Sequence, residues 1–150
     1  FSTTTWIINK QAEGLTHEQM LLQLPFQGNC FNWILGHIAT NRDQVLKLLG
    51  EEPIFGPAEV DRYKTRSEPV ANGETAVHSQ TLLDAVQTSQ ERIETALSNI
   101  EEELLSAVYD AENNVTVAER IEGLHWHETY HTGQLEILRQ LAGTNDRIIG

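Results

Sequence analysis

The stretch of sequence that decides the fold lies near the end of the chain, where residues 116–142 read TVAERIEGLHWHETYHTGQLEILRQLA. Its apolar side chains recur at intervals of three and four residues, which places them on one face of an α-helix. The stretch therefore predicts a long amphipathic helix that ends at Gly143. Two polar side chains interrupt the apolar face, and they require an explanation. The face comprises Val117, Ile121, Leu124, Glu128, His131, Leu135 and Leu138.

Three earlier stretches show the same periodicity and predict three more helices, over residues 3–13, 29–49 and 79–107. Gly14 and Gly50 follow the first two of them, as is typical of helix ends. No segment alternates polar and apolar residues over any length, so no half-buried strand is predicted. The third helix has an apolar seam of the kind that packs in a bundle. This seam comprises Leu83, Val86, Gln90, Ile93, Leu97, Ile100 and Leu104.

The connection between the second and third helices is long. It covers residues 51–73 and contains Pro53, Pro57 and Pro69, yet it is too short to be a domain. Four helices with one long crossover connection and short turns elsewhere predict an all-α four-helix bundle. A chain of 150 residues fits one domain with a hydrophobic core, so we expect a single domain over residues 1–150.

The composition argues against several classes of partner. The formal net charge is −12 and the ten basic residues are scattered, whereas nucleic-acid affinity depends largely on Lys and Arg side chains that displace counterions. No stretch approaches the ~20 apolar residues that a membrane helix requires. Cys30 is the one cysteine, which agrees with a reducing cytoplasm because no intrachain disulfide can form. We therefore expect a cytoplasmic protein without nucleic-acid or membrane partners.

Histidines point from two of the predicted helices into the core. His127 and His131 are four residues apart, so they lie on the face of the last helix that also carries Leu124 and Leu135. His37 lies in the middle of the inward sector of the second helix, and the long connection allows these two helices to be neighbours. That sector comprises Cys30, Ile34, His37, Asn41, Val45 and Leu48.

A converging set of three imidazoles favours a metal site. A lone inward histidine is more often satisfied by hydrogen bonds, but each buried polar group without a partner costs ~1–3 kcal/mol. A divalent metal ion accepts three lone pairs at once, and three protein nitrogens with one open position are typical of catalytic metal sites. We therefore predict His37, His127 and His131 as metal ligands. The other histidines, expected at surface or helix-cap positions, are His17, His78 and His125.

Residues 127–131, His-Glu-Thr-Tyr-His, match the H-E-x-x-H signature of zinc proteases. In those enzymes the two histidines bind zinc and the glutamate activates water. The third histidine of the metzincin signature does not follow His131, and no predicted sheet could bind an extended peptide, so a peptidase is the least favoured interpretation. Glu128 lies beside the site in either case. It is a candidate catalytic base, or a buried carboxylate that orients a neighbouring side chain.

These motifs together resemble the DinB/YfiT-like superfamily of metal-binding four-helix bundles, over nearly the whole chain. Residues 32–39, NWILGHIA, are similar to the family's segment around its first histidine ligand. Residues 127–135, HETYHTGQL, are similar to its H-x-x-x-H motif and the Gly-Gln-Leu that follows. The resemblance implies a zinc- or nickel-like divalent ion on His37, His127 and His131, and a homodimer.

Two functions are compatible with such a site. The resemblance implies a metal-dependent thiol S-transferase, isomerase or related enzyme, in which a low-molecular-weight thiol cosubstrate loses its proton in the open metal position. Water in that position would instead make the protein a hydrolase. Asn41 and Gln134 face the same sectors as the ligands, and they would orient a small-molecule substrate or hydrogen-bond between helices. The alternative is a non-catalytic metal-binding or stress-response protein whose metal staples the bundle.

Overall fold

A computed structural model describes residues 1–144, 146 and 148 of the chain, and it shows a helical bundle with one short β-hairpin. The predicted all-α class is confirmed. No helix in this part of the chain is both long and apolar enough to span a membrane. The helices are α1 (Ser2–Ala12), α2 (His17–Met20), α3 (Phe31–Leu48), α4 (Pro57–Tyr63), α5 (Ser79–Ser98), α6 (Glu102–Ser106) and α7 (Val117–Leu141), and the strands are β1 (Val108–Asp110) and β2 (Val115–Thr116).

The helix α3 is at the centre of the bundle. It packs against both α5 and α7, and α1 completes the bundle by packing against the same two helices. Fourteen of the eighteen residues of α3 are buried, because these neighbours surround most of its circumference. The helices α1, α3 and α7 begin and end within two residues of their predicted bounds. Periodicity was therefore sufficient to locate the two helices that carry the histidines.

The third predicted helix was too long. The prediction covered residues 79–107, whereas α5 ends at Ser98 and is followed by α6 and β1. The side chains of Ser98 and Asn99 donate hydrogen bonds to carbonyl oxygens of the preceding turn, and such bonds compete with continuation of a helix. Leu97 and Leu104 of the predicted seam are exposed. The apolar spacing thus continues in the sequence beyond the end of the helix, where Ile100 still packs against the core but Leu104 is exposed.

The hairpin of β1 and β2 was not predicted, and it corrects the expectation of a chain without strands. The two strands pair antiparallel with an irregular register. Asp110 begins the turn, since its carboxylate accepts hydrogen bonds from two backbone N–H groups within the turn. Asn114 has a φ of 54°, a left-handed conformation that asparagine tolerates. Strands of three and two residues are too short to show alternation in the sequence.

The long connection is fastened to α3. It contains α4, which begins at Pro57, a residue type favoured in the first turn of a helix. Tyr63 at the end of α4 is fully buried, and its hydroxyl donates to Asn32 and accepts from the N–H of Val77. Asp43 of α3 accepts two backbone N–H groups from the start of the connection. The connection is therefore part of the packed structure and forms one wall beside the histidines.

Substitution of Gly36 is expected to disrupt the contact between α3 and α4. A Cβ atom at Gly36 would lie 2.6 Å from Cγ of the buried Tyr63 ring and closer still to two other ring carbons. Gly36→Ala should therefore lower the free energy of unfolding by about 1–3 kcal/mol in a urea titration. Gly123→Ala on α7, where a Cβ meets nothing within 4 Å, should raise it by about 0.5–1 kcal/mol. Similar effects of the two substitutions would contradict this packing.

Candidate metal centre

Two neighbouring helices carry the three predicted ligands. His37 lies on α3, His127 and His131 lie on α7, and the two helices pack against each other. His37 is buried, and the other two histidines are half-buried. The structure therefore brings together the three side chains that the sequence singled out.

The ring nitrogens of these histidines converge. His37 Nε2 lies 3.4 Å from His127 Nε2, which in turn lies 3.1 Å from His131 Nε2. Two nitrogens that bind one tetrahedral ion at ~2.0–2.1 Å are separated by roughly 3.3 Å. The observed spacings therefore match the edges of a metal coordination polyhedron. Among the residues that the structure describes, no other three His, Cys, Asp or Glu side chains meet in this way.

Hydrogen bonds on the outer side of two rings direct their Nε2 atoms towards the centre. We assign the proton of His37 to Nδ1, which donates to the Tyr63 carbonyl oxygen at 2.6 Å. The proton of His131 is likewise assigned to Nδ1, which donates to the side-chain oxygen of Gln134 at 2.8 Å. A neutral imidazole carries one N–H, so both rings keep a lone pair on Nε2. The lone pairs of His37 and His131 both face Nε2 of His127, and with the His127 proton on Nδ1 a divalent cation would accept all three lone pairs. The donor set therefore fits a metal ion.

Burial keeps the three imidazoles neutral. Desolvation lowers the pKa of His37 to about 4, although the hydrogen bond to the Tyr63 carbonyl acts in the opposite direction. Desolvation is also the main cause that lowers the pKa of His127 and the pKa of His131. Metal ions bind the neutral form of imidazole. The three rings are therefore in the metal-binding form at neutral pH.

The structure gives Glu128 a different place from the one expected of a catalytic base. Its carboxylate is buried and receives two hydrogen bonds from Arg42, 2.8 Å from Nε to Oε2 and 2.6 Å from Nη2 to Oε1. The Thr4 hydroxyl donates to the same carboxylate. Both oxygens are thus engaged, and Glu128 does not join the group of side chains that converges on the metal site. Its position favours the other interpretation, a buried carboxylate that holds its neighbours in place.

Arg42 is the buried partner that the sequence analysis missed. Its side chain is fully buried, with Nη1 donating to the Val86 carbonyl oxygen and Nη2 to the Thr5 hydroxyl. Together with Glu128 it connects α1, α3, α5 and α7. Glu128 could have indicated such a partner in the sequence. A carboxylate within an apolar helix face requires a buried cation or several hydrogen-bond donors.

The two predicted substrate-orienting residues both contact histidines of the converging group. Gln134 accepts the hydrogen bond from His131 and thereby orients that ring. The side-chain nitrogen of Asn41 lies 3.1 Å from His37 Nε2 and donates to the His37 carbonyl oxygen at 2.8 Å. Asn41 also lines a pocket of about 260 Å³ between α3 and the end of α4. A direct role of either residue in substrate binding stays a prediction.

The remaining histidines and the cysteine lie away from the centre. His17 and His78 each accept a hydrogen bond from a backbone N–H in the first turn of α5, so both act as caps. His125 packs edge-on against the ring of Phe1. Cys30 is buried, and burial raises the pKa of its thiol. The positions of His17, His78 and Cys30 agree with the predicted cap and core roles, whereas His125, expected at the surface or a helix cap, is half-buried.

Loss of the Gln134 side-chain oxygen should weaken metal binding. Gln134→Leu keeps a similar volume but leaves Nδ1 of His131 without its acceptor, so the ring is no longer held in one orientation. We expect the metal affinity to fall about 10- to 100-fold, as is usual for such supporting partners. A competition titration with a chromophoric chelator measures it. Gln140→Leu, at an exposed position of α7, is the matched control and should keep the affinity; equal affinities would exclude the supporting role.

A comparison with known protein families matches residues 6–135 of the chain to the DinB superfamily. The match covers the greater part of the chain and includes all three converging histidines. A comparison with curated proteins gives no match. The family match confirms the resemblance drawn from residues 32–39 and 127–135. The chain therefore belongs to the DinB superfamily.

Proposed function

We propose that the protein binds one divalent metal ion, zinc or nickel, through Nε2 of His37, His127 and His131, and that it acts as a metal-dependent thiol transferase or a related enzyme. The observation that carries this proposal is the convergence of three histidine side chains, whose Nε2 atoms lie 3.1 and 3.4 Å apart. Imidazole is a good ligand for both zinc and nickel. Membership of the DinB superfamily is compatible with such a site.

The number of ligands supports a reactive site over a structural one. Only three candidate ligand side chains converge in the described part of the chain, whereas structural zinc sites have four protein ligands. Cys30 is not among them, since its thiol donates to the Val70 carbonyl oxygen at 3.5 Å in the core. A small molecule would therefore complete the coordination. When bound, a divalent ion at this site would act as a Lewis acid that lowers the pKa of a thiol.

The surroundings favour a thiol over an activated water molecule. A hydrolase or peptidase of the H-E-x-x-H type requires the glutamate as a base, but the Glu128 carboxylate is engaged by Arg42 and Thr4. A thiol needs less assistance, because its free pKa of ~8.5 is already close to neutral. Asn41, beside His37 and at the pocket wall, would orient the cosubstrate.

Cobalt substitution tests the thiol hypothesis. Addition of a low-molecular-weight thiol to the Co²⁺-loaded protein should produce a sulfur-to-cobalt charge-transfer band in the near ultraviolet, because the thiol can reach the open position. Turnover with an electrophilic acceptor, followed as loss of free thiol, should accompany it. His131→Ala should show neither signal. If cysteine and glutathione both fail to produce the band and the turnover, the transferase proposal is wrong.

The non-catalytic alternative makes a different prediction for the metal-free protein. If the main role of the ion is to stabilise the folded bundle, its removal by a chelator should unfold the chain, as it does in small metal-dependent domains. We expect the metal-free protein to remain helical by circular dichroism, because α3 and its neighbours share a buried apolar core that does not include the metal site. Metal binding should only raise the melting temperature through mass action.

The homodimer implied by the resemblance stays a prediction. The helix α7 exposes Trp126, Tyr130 and Ile137, whose spacing places them along one outward face. Exposed apolar faces of this kind are typical of contacts between proteins. Light scattering should give twice the mass of one chain.

A further inference from the structure

A pocket beside the metal centre carries two of the three lysines of the chain. It has a volume of about 260 Å³ and lies between α3 and the end of α4. We call it the lysine pocket and define it by His37, Asn41, Lys47 and Lys64. The whole chain contains three lysines against a net charge of −12. Two lysines at one small concavity therefore point to an anionic ligand.

The lysine pocket borders the metal-facing side of His37. Asn41 lines the pocket, and its side-chain nitrogen lies 3.1 Å from His37 Nε2. Lys64, which also lines the pocket, directly follows Tyr63, whose carbonyl oxygen contacts the outer nitrogen Nδ1 of His37. A second pocket is lined by Gln134. Gln134 contacts Nδ1 of His131, the ring nitrogen that points away from the proposed metal position. Of the three converging histidines, His37 lines the lysine pocket, so a molecule in this pocket would approach the metal centre from the His37 side.

Two carboxylates, those of Asp43 and Asp61, lie near these lysines and partly offset their charge. The Asp43 carboxylate, which also lines it, accepts two backbone N–H groups of the long connection. Asp61 pairs with Lys64 at 2.9 Å, but both side chains are exposed, and exposed ion pairs contribute little and exchange readily. Lys47 forms no salt bridge with any residue that the structure describes. The Lys47 ammonium group is therefore available to a ligand, and an anionic ligand would compete with Asp61 for Lys64.

The position of Lys47 along α3 sets the length of that ligand. Lys47 comes ten residues after His37, which is about 15 Å along the axis at ~1.5 Å per residue. Side chains of a helix lean towards its N-terminus, so the ammonium group lies closer to His37 than this value. A thiol the size of a tripeptide, about 10 Å when extended, would span most of this distance, whereas a two-carbon thiol would not.

We propose that the lysine pocket binds carboxylate groups of the thiol cosubstrate, so that the site selects an extended anionic thiol over a neutral one. The inference rests on the proposed thiol-dependent function. Lys47 and Lys64 would act as specificity-determining residues, and the sulfur would reach the open position beside His37.

Isothermal titration calorimetry of the metal-loaded protein tests this selection with three probes. These are glutathione, its diethyl ester with neutralised carboxylates, and S-methylglutathione, whose sulfur cannot ionise. Glutathione should bind about three- to tenfold more tightly than the ester, because two carboxylates would each pair with an exposed lysine. Lys47→Gln and Lys64→Gln should each reduce this difference. Lys10→Gln, at the third lysine on α1, is the matched control and should preserve it.

The probes distinguish failure of the pocket from failure of the thiol reaction. If S-methylglutathione binds and depends on the two lysines while no thiol changes the cobalt spectrum, the carboxylate pocket is supported and the thiol function is wrong. Equal affinities for glutathione and its ester, or no binding of either carboxylate probe, would overturn the proposal. Both lysines are exposed, so the variants should fold, and thermal melts verify this.

Discussion

Arg42→Met is expected to lower the free energy of unfolding by about 3–5 kcal/mol in a urea titration. The substitution leaves the Glu128 carboxylate charged in an environment where its side chain is 3% exposed. It also removes the N–H donors that satisfy the Val86 carbonyl oxygen and the Thr5 hydroxyl. Since these groups belong to four different helices, the loss should affect the unfolding of the whole bundle.

Arg92→Met is the matched control for the buried pair. Arg92 also pairs with a carboxylate, that of Glu51 at 2.9 Å, but this pair is partly exposed, and such pairs contribute at most ~1 kcal/mol. The double variant Arg42→Met/Glu128→Leu should recover part of the lost stability, because it leaves no unpaired charge in the core. If Arg42→Met were no more destabilising than Arg92→Met, the buried pair would not be what holds the four helices together.

His37→Ala and His131→Ala are each expected to weaken metal binding by more than about 100-fold, since even the outer partners of metal ligands contribute 10- to 100-fold. Each substitution removes one of three converging Nε2 donors. After dialysis, the metal content measured by elemental mass spectrometry should fall from about one ion per chain towards zero. Circular dichroism of the variants should remain helical, which separates loss of the ligand from loss of the fold.

His125→Ala is the matched control for the ligand variants. His125 lies on α7 two residues before His127 and is also half-buried, but its ring packs against Phe1 and outside the converging group. This variant should retain its ion. Full metal occupancy in His37→Ala would instead show that α3 contributes no ligand and that the triad is wrong.

The ligand residues could be predicted because the spacing of apolar residues reports which face of a helix is buried. His127, His131 and His37 each lie within such a face, and the structure brings their Nε2 atoms together. Of the two hydrogen bonds that orient the histidine rings, only one could be predicted from the sequence. Gln134 lies three residues after His131, on the same side of α7. The acceptor for His37 is the backbone carbonyl of Tyr63, and every residue has a backbone carbonyl, so the sequence gives no sign of it.

The contacts between helices could not be predicted, because they depend on which helix faces meet across the bundle. The periodicity of apolar residues within one helix does not show which other helix its buried face contacts. Glu128 and Arg42 are 86 residues apart in sequence, so their pairing is a property of the tertiary structure. The tight fit of Tyr63 against Gly36 has the same origin. The end of α5 was missed for the converse reason, because apolar residues continue at the same spacing to Leu104, and Ile100 still packs against the core, although the helix ends at Ser98.

A crystal structure of the metal-loaded protein, with anomalous data collected at the absorption edge of the metal, tests the proposed centre most directly. We predict one anomalous peak between α3 and α7, at ~2.0–2.1 Å from Nε2 of His37, His127 and His131. A peak on the Glu128 carboxylate, a peak on Nδ1 in place of Nε2, or no peak among the three histidines would contradict the proposed metal centre.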